Sequence, residues 1–301
     1  MKITKRETLI QNIAYMALMA AINVIFVLLT TLVPVLMFLI IFVLPLTSTM
    51  VTLLCKKKYF PIYAIATIAL CMIVTIRKID DTIFYVIPSI ITGFVFGIMM
   101  EKGIPSPWII LTNTIIQLGL SFASVPLIQL MLGRNIINDF ATVFKVNDFA
   151  YLDTLAVCFI FLISLIQMIF SYMVTKEEMQ KLGFIFKTFT GKHFSFYLGL
   201  ATSLTVTLIC SFFYSPIAYL FTLISLYFIG VIIVPLLLEK KKWIYFSLGA
   251  LLIICFFLVG GLYTYIKVPN GLLLVNTFFI GVGIIGLINN YLLIRTRKDR
   301  I

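Results

Sequence analysis

The sequence predicts an all-α polytopic membrane protein of about ten transmembrane helices, with both termini on the cytoplasmic side. Three observations carry this. Hydrophobic residues make up 62% of the 301-residue chain and charged residues 11%, with a mean hydropathy of +1.16, against roughly 25% charged residues in soluble domains. Apolar runs long enough to cross a bilayer core of about 30 Å recur from one end to the other. The Lys and Arg residues gather in the connections that fall on one side of the membrane, as the positive-inside bias requires.

The runs are roughly 8–32, 34–55, 60–76, 82–100, 106–132, 153–175, 194–213, 216–238, 243–264 and 271–294. The first two form a hairpin that stops at Lys56-Lys57-Lys58 and is interrupted only by Pro34 and Pro45. The basic start, Lys2, Lys5 and Arg6, has the charge layout of a signal peptide. The run after it is too long for a cleaved segment, so it reads as a retained first helix. With the N-terminus inside, all of the 23 basic residues lie on the cytoplasmic side except Arg77, Lys78, Arg134, Lys145 and Lys267. An odd number of spans would place either Lys240-Lys241-Lys242 or the C-terminal basic cluster outside.

Three regions follow: a six-span region over 1–175, an amphipathic cytoplasmic connector over 176–193, and a four-span region over 194–301. In the connector, Met179, Leu182, Phe186 and Phe189 form an apolar face opposite Lys181 and Lys187. Outside, the 133–152 connection carries Ile136, Phe140, Val143 and Phe144 at helical spacing. Both read as interfacial helices that join spans, with a contact surface or a cover over a cavity as the functional alternative.

Composition excludes several classes. The net charge of +12 is spread as short clusters between spans, so no nucleic-acid partner is expected and the lipid bilayer is the first partner. Five scattered cysteines and one histidine offer neither a disulfide framework nor a metal site. Gly281-Val282-Gly283-Ile284-Ile285-Gly286 fits a dinucleotide-binding spacing but lies inside an apolar run, where glycines mark a close-packing helix face. Gly191-Lys192 lacks the spacing and the following Ser or Thr of a P-loop. No enzyme, no cofactor and no metal centre are expected.

Polar residues within the spans remain. Asn113, Gln117, Ser121 and Ser124 share one face of the fifth span, and Ser164, Gln167 and Ser171 one face of the sixth. They line a solute cavity or form interhelical hydrogen bonds worth on the order of 0.6 kcal/mol each. Asn23 and Gln129 are weaker members of the set. Arg77-Lys78-Ile79-Asp80-Asp81 is either a solvated turn or the charged mouth of an outward pocket. Ala17 and Ala21 form a small-xxx-small pair suited to close helix packing.

This layout, an inside-positive start, Ala17-x-x-x-Ala21, a loop to Pro34 and a Pro45-bearing second helix, resembles the S components of energy-coupling factor transporters. Those are six-helix, solute-capturing membrane subunits. The longer chain looks like the YybS-like family of bacterial membrane proteins, related to the S components. Gln167 to Phe184, with Tyr172, Lys176, Lys181 and Leu182-Gly183-Phe184, carries that likeness. So does Gly286-Leu287-Ile288-Asn289-Asn290-Tyr291-Leu292-Leu293-Ile294-Arg295, with Asn289 where an Asp is usual.

The resemblance implies a multi-pass protein of the bacterial cytoplasmic membrane that captures a small solute and relies on a separate ATP-driven coupling module. Ala17 and Ala21 would dock on that module. On geometry alone, Arg77, Asp81, Asn113, Gln117 and Gln129 are the substrate-binding candidates. The competing expectation is a non-transporting scaffold that engages a partner through its 176–193 connector.

Overall fold

The computed structural model describes residues 6–33, 36–76, 79–133, 142, 149–181, 183, 194–213, 215–265 and 272–298. Ten long helices occur among the described residues, one on each predicted span. They are α1 (Leu9–Leu32), α2 (Met37–Leu54), α3 (Phe60–Val74), α4 (Ile87–Glu101), α5 (Ser106–Leu132), α6 (Phe149–Lys181), α7 (Phe194–Phe213), α8 (Ser215–Leu238), α9 (Lys242–Tyr265) and α10 (Leu272–Lys298). Among the described residues, eight segments are long and apolar enough to cross a membrane, and two shorter apolar stretches, Val43–Leu54 and Lys242–Phe257, lie in α2 and α9. Side chains such as Ile10 (80% exposed), Ile65 (70%) and Leu130 (84%) stand out from the helix surfaces. Apolar exposure on this scale, repeated along helices that satisfy their own backbone groups, suits lipid rather than water. The chain is an integral, multi-span membrane protein.

The chain divides into two compact units, residues 1–147 with 159–188, and residues 148–158 with 189–301. In the first unit, α1 starts from a capping box. The Gln11 amide donates to Thr8 Oγ1 at 3.2 Å and the Thr8 amide to Gln11 Oε1 at 3.5 Å, satisfying two amides that the first turn would leave open. Buried Asn12 ties this start to the end of α2: its Nδ2 donates to the Arg6 and Thr8 carbonyls, and its Oδ1 accepts from the Lys56 amide at 2.9 Å. Lys57 reaches Glu101 at 2.6 Å, so the basic turn also holds the end of α4.

α2 packs along α4, and α1 on α2 and α3. The α2–α4 approach depends on two glycines. A Cβ at Gly93 would lie 2.5 Å from the Pro45 carbonyl oxygen and from Ser48 Cβ, and one at Gly97 would lie 2.6 Å from Thr52 Cβ. With hydrogen in those places the backbones come close enough for Thr49 Oγ1 to donate to the Gly93 carbonyl at 3.0 Å.

α4 is entered through a one-turn helix, Ile79–Asp81, and a π-helical turn, Thr82–Val86. Pro88 explains the wider turn, because it has no N–H to return to the preceding turn. The Ile83 carbonyl accepts instead from Ser124 Oγ on α5, at 3.3 Å. Gly103, at φ +66, makes the tight turn from α4 to α5.

α6 runs to Lys181, past the predicted end of its span at 175. Lys181 pairs with Glu178 at 2.7 Å and Glu177 at 3.9 Å, the i,i+3 and i,i+4 spacings that support a helix. Gly183 (φ +84), whose amide donates to the Gln180 carbonyl, marks the turn that follows. Met179 is fully buried, whereas Leu182, Phe186 and Phe189 of the predicted connector lie outside the described residues.

In the second unit, α10 packs against α7, α8 and α9. Its glycines face three different neighbours. Gly281 abuts Leu251 of α9, Gly283 abuts Leu200 of α7, and Gly286 abuts Tyr197 of α7 and Ile232 of α8. That is the close-packing role expected of them from the sequence. At one end, Lys241 Nζ, Asn289 Oδ1, Asn289 Nδ2 and Glu239 Oε2 close a ring of 3.0 Å contacts that joins the α8–α9 turn to α10.

Candidate functional site

The polar stripe on α5 is buried along its length. Asn113 is 0% exposed and Gln117 4%, with Ser121 and Ser124 also buried. Residues at i, i+4, i+8 and i+11 project from one side of a helix because 3.6 residues complete a turn. Asn113 Nδ2 approaches Met99 Sδ at 3.9 Å, and Ser124 Oγ meets the Ile83 carbonyl. These contacts turn the stripe toward α4 and the π-helical turn. Gln117 and Ser121 share that face of the helix with them.

Two atoms of the stripe are buried without a hydrogen-bond partner: Asn113 Oδ1 and Gln117 Oε1. For Asn113 the amide orientation follows from its surroundings. Nδ2 donates to the Ile109 carbonyl at 2.8 Å, an acceptor that Oδ1 could not use, so the oxygen is the atom left over. A buried polar atom without a partner costs about 1–3 kcal/mol. Two such carbonyl oxygens one helical turn apart make an acceptor pair, suited to a ligand that offers N–H or O–H groups.

The α6 stripe, Ser164, Gln167 and Ser171, is also buried, and Gln167 and Ser171 have partners of their own. Met168 of α6 joins Phe96, Met100 and Ile109 in one apolar cluster, and the Tyr172 ring stacks on Phe96 at 6.3 Å. α6 therefore covers one end of the α4–α5 seam with apolar side chains.

The remaining candidates fall elsewhere. Gln129 is exposed, since sixteen residues beyond Asn113 a helix has turned to the opposite face. Arg77 lies outside the described residues. Asp81 ends the one-turn helix before the π-helical turn, and only its backbone is described. Ala17 and Ala21 are exposed on α1, so the described residues of the chain leave this small-residue face uncovered. Among the described residues no group of His, Cys, Asp or Glu is arranged to hold a metal ion.

Sequence reasoning missed a second polar centre, where α1, α2 and α3 meet. Asn23 Nδ2 donates to the Tyr63 hydroxyl at 2.9 Å, and Thr47 Oγ1 donates to Asn23 Oδ1 at 2.6 Å. Ser48 Oγ lies 3.4 Å from Tyr63 OH. Asn23 was visible in the sequence as a polar residue in a span. Tyr63 lies in an apolar run just after the triple lysine, where no sequence signal singles it out. Buried Asn276 on α10, beside Thr277 in an apolar run, has neither amide atom partnered. The chain matches no family model, no curated protein and no solved structure.

Proposed function

We propose that this protein captures a small solute rich in hydrogen-bond donors, in the manner of an S component, within the bacterial cytoplasmic membrane and with both termini inside. The observation that carries the reading is the pair of buried, unpartnered carbonyl oxygens, Asn113 Oδ1 and Gln117 Oε1, on the α5 face turned toward α4. Unpaired polar groups inside a membrane protein are costly, and they mark substrate paths more often than they persist in packing surfaces. Energy for release would come from a separate ATP-driven module, and the exposed Ala17 and Ala21 of α1 would be the surface on which it docks.

The test is thermal unfolding of the purified full chain against a panel of vitamins, other small amines and metal ions. A solute bound at 100 times its Kd stabilises the protein by about 2.7 kcal/mol. The reading requires at least one solute that raises Tm in the wild type and not in Asn113→Leu. It is overturned if no member of the panel shifts Tm, or if wild type and variant shift alike.

A further inference from the structure

The polar centre where α1, α2 and α3 meet contains no residue that solute capture uses. Asn23 lies within about 4 Å of the midpoint of α1 (Leu9–Leu32), at a rise of about 1.5 Å per residue. Asn23, Thr47, Ser48, Tyr63 and Thr67 are all buried, at 3% exposure or less. Polar groups at this depth of a membrane cost free energy unless they are paired or hold a ligand.

Hydrogen bonds within this centre leave oxygens over. Thr47 has a single hydroxyl hydrogen, which faces both Asn23 Oδ1 at 2.6 Å and the Leu44 carbonyl at 2.9 Å. Turned to Leu44, that hydrogen frees Asn23 Oδ1. The Tyr63 hydroxyl oxygen lies 3.4 Å from Ser48 Oγ and 3.5 Å from Thr47 Oγ1, beyond the range of about 2.5–3.0 Å for an O–H···O hydrogen bond. Thr67, one turn further along α3, adjoins the same hydroxyl without reaching hydrogen-bond geometry, so its Oγ1 is buried without a partner.

These separations fit oxygens that share a cation. Two ligands at right angles about an ion lie about 1.4 times the ion–oxygen distance apart, so separations of 3.4 and 3.5 Å suit an ion about 2.4–2.5 Å from each oxygen. Ca²⁺ binds oxygen at about 2.3–2.6 Å and Mg²⁺ at about 2.0–2.1 Å; Na⁺ has nearly the radius of Ca²⁺, and K⁺ is larger. Charge decides between Ca²⁺ and Na⁺. Ca²⁺ sites are built with carboxylates, and these five residues include none, whereas neutral oxygens alone hold a monovalent ion in channel filters. We propose that the α1–α2–α3 centre binds one Na⁺ ion through Asn23 Oδ1, Thr47 Oγ1, Ser48 Oγ, Tyr63 OH and Thr67 Oγ1. The ion ties three helices together at one point, so the protein is more stable when Na⁺ is present.

The test is thermal unfolding of the full-length protein in detergent, without solute, as NaCl replaces KCl or N-methylglucamine chloride at constant ionic strength. Na⁺ should raise Tm saturably, by about 2–5 °C at ten times its Kd, and K⁺ should not. Thr67→Val keeps the shape of the side chain and removes an oxygen without a partner. It should therefore fold, as circular dichroism verifies, and should weaken the apparent Na⁺ affinity at least tenfold. Ser48→Ala, which deletes a second ligand, should do the same. Thr207→Val, which removes a buried hydroxyl from the second unit, should respond to Na⁺ like the wild type. So should Asn113→Leu, which keeps the Na⁺ site apart from the solute contact. Equal Tm in Na⁺ and K⁺, as a bound water or a self-contained network would give, would overturn the proposal. A wild-type Na⁺ response in Thr67→Val and Ser48→Ala, or an equal loss of response in Thr207→Val, would overturn it too.

Discussion

Gly93→Ala tests how closely α2 and α4 approach. The added methyl group would lie 2.5 Å from both the Pro45 carbonyl oxygen and Ser48 Cβ, and 3.2 Å from the Thr49 amide nitrogen. Contacts between non-bonded atoms are optimal near 3.5–4.0 Å, so the helices must separate by about 1 Å. Two of the three neighbours are backbone atoms, and the third is a Cβ at the root of its side chain, so rotamer changes cannot relieve the clash. Overpacking of this kind costs about 1–3 kcal/mol. Separation also stretches the 3.0 Å bond from Thr49 to the Gly93 carbonyl, worth on the order of 0.6 kcal/mol within a membrane. Against this, alanine is favoured over glycine in a helix by up to about 1 kcal/mol.

The expected net loss for Gly93→Ala is about 1–2.5 kcal/mol. Gly119→Ala is the control. Gly119 is an exposed residue of α5 whose added Cβ would meet nothing within 4 Å, so that variant keeps the propensity gain alone. Reversible unfolding in mixed micelles, titrated with SDS and followed by circular dichroism, should rank Gly119→Ala above wild type and wild type above Gly93→Ala. Equal stability of the two variants would refute the packing argument.

Other outcomes follow from the same structure. Tyr63→Phe removes the hydroxyl that Asn23 Nδ2 donates to and should lower stability by about 1–2 kcal/mol. Asn23→Leu together with Tyr63→Phe should cost less than the sum of the single changes, because no buried amide is then left without a partner; strictly additive losses in the same titration would argue against the network. Asn113→Leu should stabilise the ligand-free protein by about 1 kcal/mol, since it removes an unpartnered oxygen and improves helix propensity. Destabilisation would mean that Asn113 is a packing hydrogen bond. Cys55 at the end of α2 is buried, so maleimide labelling of the folded protein should be slow and should become fast once SDS unfolds it; labelling of the folded protein at the rate of a free thiol would contradict its burial.

Spans and the α5 stripe were legible in the sequence for a simple reason. Hydropathy over about 20 residues and a 3.6-residue period are properties of one helix, independent of its neighbours. The same arithmetic would have rejected Gln129, which lies on the opposite face from Asn113. What one helix cannot reveal is its partner. Gly93-x-x-x-Gly97 is an ordinary small-residue spacing until Pro45, Ser48 and Thr52 are placed against it. Asn23, Thr47 and Tyr63 become one network only when three helices meet. The unpartnered state of Asn113 Oδ1 and Gln117 Oε1 is a property of the assembled unit as well, because it records that nothing on α4 or α6 reaches those two atoms. α6 runs on beyond the apolar span because its last turns are held by the Glu177, Glu178 and Lys181 pairs rather than by apolar character.

Mass spectrometry of small molecules released from the purified protein tests the central claim most directly, with wild type compared against the Asn113→Leu, Gln117→Leu double variant. The account predicts a donor-rich solute retained at close to one per chain by the wild type and lost from the folded variant. A wild-type protein that releases no solute, or a variant that retains the same solute in the same amount, would contradict it.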